Sequence, residues 1–283
     1  MTSSTEHIRL GLSIAALFCV FGCASADPSA PEEACDERAA ANAEDALALY
    51  LEAWDEEDPA HRACLIQHSV ASDAVLVATG APNDGSRAAV QQDLDERIEA
   101  LLDRTGHRDA VRAVEFRHHE ARLAWVSEDA SGAELERGED WIEFDEDGFL
   151  SRIHILAGTG VNAPPTAPFL AWQQAWNTRD DTSRARALNE AVTEDVRFSD
   201  AVTDTRGRDA LDIEIARQQE RLGGELRLDD RVEVFASVEG EPTLVRVSAE
   251  LAFPTGGTVR VVDYVRLRDG HIERLSGFPR RPH

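Results

Sequence analysis

Apolar residues recur every three to four positions in the first half of the chain, a spacing typical of amphipathic helices. The first stripe covers residues 47–54, and a longer one covers residues 90–102. Between them, Pro59 follows Asp58, a pair that caps and opens a helix because the missing proline N–H costs nothing there. The apolar run at residues 73–79 predicts a short strand between the second and third helices.

The remainder of this half alternates between apolar and polar positions, which predicts antiparallel strands. We expect a strand at residues 113–126, with a bulge because the apolar residues change parity within it. Two further strands are predicted at residues 134–144 and 149–156. Asp147-Gly148 stands between them and is a strong signal for a hairpin turn.

The same order of elements is predicted again after residues 157–168, whose Gly, Pro and Asn content indicates a linker without regular structure. Apolar stripes and turn signals predict three helices, at residues 169–176, 182–191 and 208–222. Strands are predicted at residues 195–200, 231–238, 243–253, 258–268 and 271–278. The second half therefore repeats the helix, helix, strand, helix order of the first, followed by antiparallel strands.

Individual positions of the two halves also correspond. Trp54 corresponds to Trp176, which lies 122 residues later in the chain. Asp-Gly turns also occur at equivalent positions in the two halves. Matching positions spread over a whole unit indicate a duplicated domain. We therefore predict a signal at residues 1–23, a tether at 24–34, a first domain at 35–157, a linker at 158–167 and a second domain at 168–280.

The composition fits two folded domains with an acidic surface. Of 283 residues, 42% are hydrophobic, which suffices to build cores. Acidic residues number 54 against 29 basic ones, and the formal charge is −25. Such a surface repels phosphate backbones, so nucleic acid is not expected as a partner.

The N-terminal stretch has the pattern of an export signal. Arg9 precedes an apolar run at residues 10–21, which is too short to span a membrane comfortably. The run is followed by Gly22-Cys23 and resembles a bacterial lipoprotein signal. That resemblance implies a lipid on Cys23, and a membrane contact through this anchor only. Secretion after cleavage nearby is the alternative.

Cys35 and Cys64 are the thiols that remain outside the signal. Two cysteines in an exported protein indicate one disulfide bond, and two unpaired thiols are the alternative. Neither cysteine lies in a CxxC or HxxxH spacing, so we expect no metal site.

Several of these features occur together in one known family. An apolar helix ending in Ala-Trp-Asp or Ala-Trp-Asn, a glycine before the third helix and an aspartate-bearing strand closed by Asp-Gly resemble the nuclear transport factor 2-like superfamily, and within it the SnoaL-like group. The resemblance implies an α+β fold in two tandem copies. Each copy would be a cone, with three helices packed on a curved antiparallel sheet around an apolar pocket. Members include isomerases, cyclases, binding modules and interaction domains, and we expect no cofactor.

Asp263 is the strongest candidate for chemistry. In an extended strand it shares a face with Val261 and Val265, while the opposite face, including Arg260 and Arg266, is mostly polar. A carboxyl on an apolar face must be paired, hydrogen-bonded or protonated, and a raised pKa suits proton transfer next to a carbonyl. In SnoaL-like cyclases a pocket aspartate on this strand is the acid/base, and Asp263 resembles that position. A structural aspartate tied to an arginine or a hydroxyl is the alternative.

Three further residues are candidates for catalysis. Asp140 is the counterpart of Asp263 in the first half. Asp200 ends a predicted strand where relatives of ketosteroid isomerase carry their base, and capping of the following turn is the alternative. His119 is predicted to point at the apolar interior, either as a proton shuttle or as a structural histidine.

Trp54, Trp125 and Trp176 are candidate ligand contacts, and burial in the core is the alternative for the two on helices. The leading hypothesis for function is a tethered module that binds a small apolar or aromatic molecule in its cone pockets. An isomerase or cyclase that uses a pocket aspartate is the second. The third is an interaction scaffold in which the two domains pair with each other.

Overall fold

The computed structural model describes residues 40–279, with gaps at residues 79–80, 83–84, 106–109, 130, 159 and 236–242. The predicted signal and tether, the lipidation site Cys23 and the predicted disulfide cysteine Cys35 lie outside the described residues. None of the described helices is long and apolar enough to cross a membrane.

The first unit covers residues 43–157, and its described residues form three helices and a six-stranded sheet. Its helices are α1 (Ala43–Asp55), α2 (Pro59–Ser69) and α3 (Arg87–Thr105). Its strands are β1 (Val70–Ala78), β2 (Ala81–Pro82), β3 (Ala110–Arg117), β4 (Glu120–Glu128), β5 (Glu134–Phe144) and β6 (Leu150–Ala157). They are arranged in the order β2-β1-β6-β5-β4-β3, and neighbours are antiparallel except for the parallel pair β1 and β6.

The second unit covers residues 161–279, where the part that the structure describes forms three helices and a seven-stranded sheet. Its helices are α4 (Ala167–Asn177), α5 (Asp181–Ala191) and α6 (Arg208–Leu222). Its strands are β7 (Val161–Ala163), β8 (Val192–Ser199), β9 (Asp204–Arg206), β10 (Glu225–Phe235), β11 (Thr243–Ala252), β12 (Thr258–Arg268) and β13 (His271–Pro279). The order is β7-β10-β11-β12-β13-β8-β9, and only the neighbours β8 and β13 are parallel among these described strands.

The two units repeat one layout. In each, the last four strands form a meander, and the strand after the second helix lies parallel beside the last of them. Each unit also has its own apolar core between its helices and its sheet. The predicted α+β class, with two copies of three helices on a curved and mainly antiparallel sheet, is confirmed.

Helix starts follow the local sequence. Asp58 accepts a hydrogen bond from the backbone N–H of Ala60 at 3.0 Å, with Pro59 at the first helical position, so the predicted start of α2 is confirmed. Asp180 begins α5 in the same way and accepts from the N–H of Ser183 at 2.8 Å.

The predicted single strand over residues 113–126 is wrong. The chain reverses in the middle of it, so β3 ends at Arg117 and β4 begins at Glu120. His118 has a positive φ of 46° in the turn between them. The parity change arises because the chain turns back there. A tight hairpin without glycine gives the same pattern of apolar residues as a bulge.

Two other strand predictions need correction. Residues 161–163, inside the predicted linker, form β7 because β10 supplies a hydrogen-bonding edge that the local composition does not reveal. β10 itself begins at Glu225 and not at residue 231. The register of its pairing with β11 shifts between Leu228 and Val232. The shift interrupts the alternation of apolar and polar residues, so the sequence pattern indicates only the later part of the strand.

The two sheets contact each other through the faces opposite their helices. The apolar part of this contact consists of Trp141 and Leu156 from the first unit with Leu244, Val262, Tyr264 and Phe278 from the second. Trp141 stacks on Tyr264 with ring centroids 6.0 Å apart. The face of β12 that the sequence marks as mostly polar is therefore partly buried against the first unit.

Buried ion pairs lie beside this apolar contact. Arg274 of the second unit donates to Glu120 at 2.6 Å and to Glu143 at 2.5 Å, and Arg266 donates to Glu143 at 2.8 Å. Burial alone would raise the pKa of Glu143, but Arg274 and Arg266 outweigh it and hold that pKa far below its usual range. Burial raises the pKa of Glu120, and Arg274 offsets this only in part. Two buried glutamates of the first unit are thus paired with arginines of the second unit.

Candidate functional site

A cavity of about 290 Å³ lies within the second unit, bounded by α4, α6 and the sheet. Most of its lining is apolar, and its polar side chains are Asp200, Gln218, Arg221 and Asp263. A mostly apolar concave site with a few polar groups is the usual form of a small-molecule site.

Asp263 lines this cavity from the middle of β12. Val259 and Val261 line the cavity with it, which confirms the predicted alternation on this face. The residue is 6% exposed, and none of the described residues donates a hydrogen bond to its carboxyl or forms an ion pair with it. Burial and then the Asp200 carboxylate raise the pKa of Asp263 to about 7. The alternative of a carboxylate tied to an arginine or a hydroxyl is not found among the described residues.

Gly277 leaves the space in front of the Asp263 carboxyl open. The two residues are partners in the ladder between β12 and β13. A Cβ atom added at position 277 would lie 3.0 Å from Oδ1 of Asp263 and 3.7 Å from Cβ of Asp200. Sequence reasoning missed Gly277, although a glycine inside a strand marks a close approach and could have revealed it.

Asp200 caps a turn and also lines the cavity. It follows β8, and its Oδ1 accepts from the backbone N–H groups of Val202 and Thr203, both at 2.8 Å. Its Oδ2 accepts from Nε2 of Gln218 on α6 at 3.2 Å. The turn-capping alternative is therefore confirmed, and the same carboxylate lines the cavity that Asp263 lines.

Trp172, Trp176 and Phe198 form an aromatic corner of the cavity. The two indoles meet edge to face with centroids 5.8 Å apart, and Phe198 lies tilted at 5.8 and 6.4 Å from them. Both indole N–H groups are buried and have no acceptor among the described residues. Trp176 therefore lines the cavity, as a ligand contact requires, and the contact itself stays a prediction.

The mouth of the cavity is apolar and exposed. Val202 is 64% exposed, Leu222 and Val259 are also exposed, and all three line the cavity. Arg221, exposed beside them, is the basic residue of the lining. Exposed apolar groups that adjoin a cavity are typical of binding sites. Val202 lies in a turn and Leu222 at the end of α6, where apolar periodicity gives no signal.

The corresponding aspartate of the first unit is enclosed. Nε1 of Trp125 donates to Oδ1 of Asp140 at 2.9 Å, and both residues are buried. The Trp125 ring covers Gly138, where a Cβ atom would overlap it. The guanidinium of Arg97 lies 4.8 Å from the Trp125 ring and 5.2 Å from the Trp54 ring. Trp54 and Trp125 thus belong to the core of the first unit, and a ligand contact from either stays a prediction.

The residue opposite each aspartate differs between the units. Ile155 stands opposite Asp140 in the ladder of β5 and β6. Gly277 stands opposite Asp263 in the equivalent ladder of β12 and β13. Cross-strand partners share one face of a sheet, so a large side chain crowds the first aspartate and none crowds the second.

A second difference lies two residues before the aspartate in each unit. In the first unit, Trp125 is paired with Gly138, and the small glycine gives the indole room to reach the carboxyl. In the second unit, Ala249 is paired with Val261 at the same place in the ladder. The alanine cannot reach the carboxyl, which leaves Asp263 beside open space.

The prediction that His119 points at the apolar interior is wrong. It is the second residue of the turn between β3 and β4, and its side chain is exposed. Because the chain reverses at this turn, the alternation of β4 does not extend back to His119. His119 therefore does not face the interior of the first unit.

Cys64 in α2 is disulfide-bonded. The other cysteines of the chain all lie in residues 1–39, outside the described residues, so pairing with Cys35 stays a prediction. Within the described parts of the chain, no group of three His, Cys, Asp or Glu side chains is placed to hold a metal ion.

No family model matches the chain, and no curated protein matches it. It is similar to solved structures. An isomerase candidate of the SnoaL-like family from Agrobacterium tumefaciens aligns with 22% identity and a TM-score of 0.34, over 40% of this chain and 95% of that one. A polyketide cyclase candidate from Sinorhizobium meliloti aligns with 18% identity and a TM-score of 0.31, over 40% and 95%. A ketosteroid isomerase candidate from Kribbella flavida aligns with 19% identity and a TM-score of 0.31, over 41% and 78%. The fold assignment therefore rests on the strand order and helix placement of the chain itself.

Proposed function

We propose that the second unit binds one small, mostly apolar or aromatic molecule in the cavity beside Asp263. The observation that carries the proposal is the Asp263 carboxyl, which is buried, has no hydrogen-bond partner among the described residues and faces a cavity of about 290 Å³. Leaving a buried polar group unsatisfied costs on the order of 1–3 kcal/mol. A ligand that hydrogen-bonds the carboxyl removes that cost.

The rest of the lining favours an apolar ligand. Trp172, Trp176 and Phe198 provide aromatic surface inside, and Val202 and Val259 continue the apolar surface to the mouth. Aromatic side chains in such walls contribute much of the binding free energy in known sites.

The proposal places the ligand in one unit and not in both. Asp140, the counterpart of Asp263, already accepts a hydrogen bond from Trp125 and is buried. This arrangement favours a structural role for the first unit and a binding role for the second.

Fluorescence titration with the neutral fluorophore N-phenyl-1-naphthylamine tests the proposal. We expect saturable binding of one molecule per chain, weakened about tenfold by Trp176→Leu because an aromatic wall is lost. Trp54→Leu, the matched change in the first unit, should leave the affinity unchanged. Thermal melts verify that both variants fold. Absence of saturable binding, or equal weakening by both variants, contradicts the proposal.

Proton transfer by Asp263 is a second candidate function, because a carboxyl with a pKa of about 7 can both give and take a proton near neutral pH. The reaction would be of the isomerase or cyclase kind. Deuterium exchange into a panel of enolisable ketones, followed by NMR, tests it. Exchange by Asp263→Asn as fast as by the wild type would exclude this candidate while leaving the binding proposal intact.

The contact between the two sheets supports the third alternative, an interaction scaffold with an internal pseudo-dimer. Arginines of the second unit pair with buried glutamates of the first, so each unit stabilises the other. In that case the cavity would be unused. A chain that binds no fluorophore but captures a protein through its remaining surfaces would favour the scaffold.

For location, we propose that a lipid on Cys23 holds the mature chain at a membrane. The support is the apolar run at residues 10–21 followed by Gly22-Cys23. Mass spectrometry of the membrane fraction should find a lipidated N-terminal peptide that begins at Cys23. A product in the soluble fraction without lipid would overturn the proposal and favour secretion.

A further inference from the structure

Two acidic side chains face the same apolar cavity, and no basic side chain in the described part of the chain neutralises them inside it. Asp200 and Asp263 both line the cavity, and both lie close to the space above Gly277. Arg221 is the basic residue of the lining, but it is exposed at the mouth. The groups that shift the pKa of Asp263 are its burial and Asp200, and neither supplies a positive charge.

Asp200 places its negative charge where a ligand would lie. Hydrogen bonds from the backbone of Val202 and Thr203 and from Gln218 fix its carboxylate at the cavity wall. After burial, this charge is the second cause that raises the pKa of Asp263. A carbonyl or carboxylate oxygen placed beside Asp263 would be repelled by this charge, and a cation would be attracted.

The aromatic corner of the cavity also favours a cation as ligand. The faces of indole and phenyl rings carry negative electrostatic potential, and they attract organic cations most strongly where water is excluded. Trp172, Trp176 and Phe198 line the cavity together with the two carboxyl groups. Aromatic rings and carboxylates combined in one cavity are the usual features of a site for ammonium ions.

From this combination we infer that the ligand is a small organic ammonium ion, with its nitrogen beside Asp200 and Asp263 and its apolar part against Trp172 and Trp176. The inference rests on the proposed binding function and narrows it to one class of ligand. It also explains why the carboxyl of Asp263 has no partner among the described residues, because the partner is the ligand.

Displacement of N-phenyl-1-naphthylamine by two molecules of the same shape tests the inference. Choline carries a quaternary nitrogen, and 3,3-dimethylbutan-1-ol has a carbon atom in its place. We expect choline to displace the fluorophore at a concentration at least about tenfold lower than the alcohol. In the double variant Asp200→Asn and Asp263→Asn the preference should disappear. Both changes preserve side-chain shape, and the amide oxygen at position 200 can still cap the turn.

The outcomes separate this inference from the proposed function. Binding of the fluorophore with equal displacement by choline and the alcohol overturns the ammonium inference and leaves the binding function standing. A preference for choline that persists in the double variant also overturns it, because the charge would then be recognised elsewhere. Failure of the fluorophore to bind at all overturns the binding function and the inference with it.

Discussion

Gly277 lies directly opposite Asp263 in the ladder of β12 and β13, and a Cβ atom there would come within 3.0 Å of the Asp263 carboxyl. The access of a ligand to this buried carboxyl therefore depends on a missing side chain on the neighbouring strand. In the first unit the same place is occupied by Ile155, and the corresponding aspartate is enclosed.

Gly277→Val should block the cavity. The added carbon atoms would occupy the space in front of Asp263 and Asp200, and we expect fluorophore affinity to fall at least about tenfold, since one or two carbon atoms decide fit in an apolar pocket. Fluorescence titration measures this. Ile155→Val, which puts the same residue at the matched place in the first unit, should leave the affinity unchanged. Undiminished binding by a folded Gly277→Val variant would show that the ligand lies elsewhere.

The hydrogen bond by which Trp125 encloses Asp140 in the first unit can be reproduced by mutation in the second unit. Ala249→Trp combined with Val261→Gly should place an indole over a glycine and let its N–H bond Asp263, as Trp125 bonds Asp140. We expect fluorophore binding to be lost, because the indole fills the cavity. Val261→Gly alone enlarges the space and should retain binding. If the double variant binds as well as the wild type, the comparison between the two units is wrong.

The pKa of Asp263 predicts a particular dependence of stability on pH. Folding raises this pKa from its ordinary value of 3.8 to about 7, so the folded chain holds the proton more tightly than the unfolded chain. The resulting stability is fully present below pH 3.8 and is lost as the pH rises through 7. Asp263→Asn cannot ionise and should gain on the order of 3 kcal/mol in unfolding free energy relative to wild type between pH 5 and pH 8.

Urea unfolding of wild type and Asp263→Asn at pH 5, 6, 7 and 8 measures this difference. A difference that grows with pH and levels off above pH 7 agrees with a buried carboxyl that ionises near neutrality. A constant difference across this range would mean that Asp263 is ionised throughout. That outcome would remove the support for proton transfer by this residue.

Arg274→Met should destabilise the contact between the two sheets. The change leaves Glu120 buried without its arginine and takes one of two arginines from Glu143. Breaking a buried ion pair from one side costs about 3–5 kcal/mol, which urea unfolding can resolve. Arg227→Met, which removes an exposed pair with Glu225, serves as the control and should have no measurable effect. Equal stability of both variants would mean that the buried ion pairs contribute nothing to the free energy of unfolding.

The fold could be predicted from the sequence because its signals are local and occur twice. Gly148 and Gly270 adopt positive φ values of 88° and 77° in the predicted hairpin turns, where glycine is favoured. The alternation in β12 also placed Asp263 correctly on the cavity face, since a strand with one apolar face has a clear pattern. The turn at His118 was missed because it uses a residue that rarely signals a reversal.

The cavity itself could not be predicted from the sequence. Part of the difference between Asp140 and Asp263 lies on their own strands, at Gly138 and Val261, but the rest comes from residues on other strands. Gly277 and Ala249 become relevant only once strand pairing is known. Burial, and after it the single charge of Asp200 in a distant turn, raise the pKa of Asp263, and the sequence around Asp263 reveals neither.

The position of a bound ligand tests the central claim most directly, and a crystal soaked with 4-bromophenol gives that position through the anomalous signal of bromine. We predict one bromine peak inside the second unit, between Trp176 and Asp263, and no peak beside Asp140. A peak in the first unit or between the two sheets, with the cavity beside Asp263 left without ligand, would contradict the claim that this cavity is the binding site.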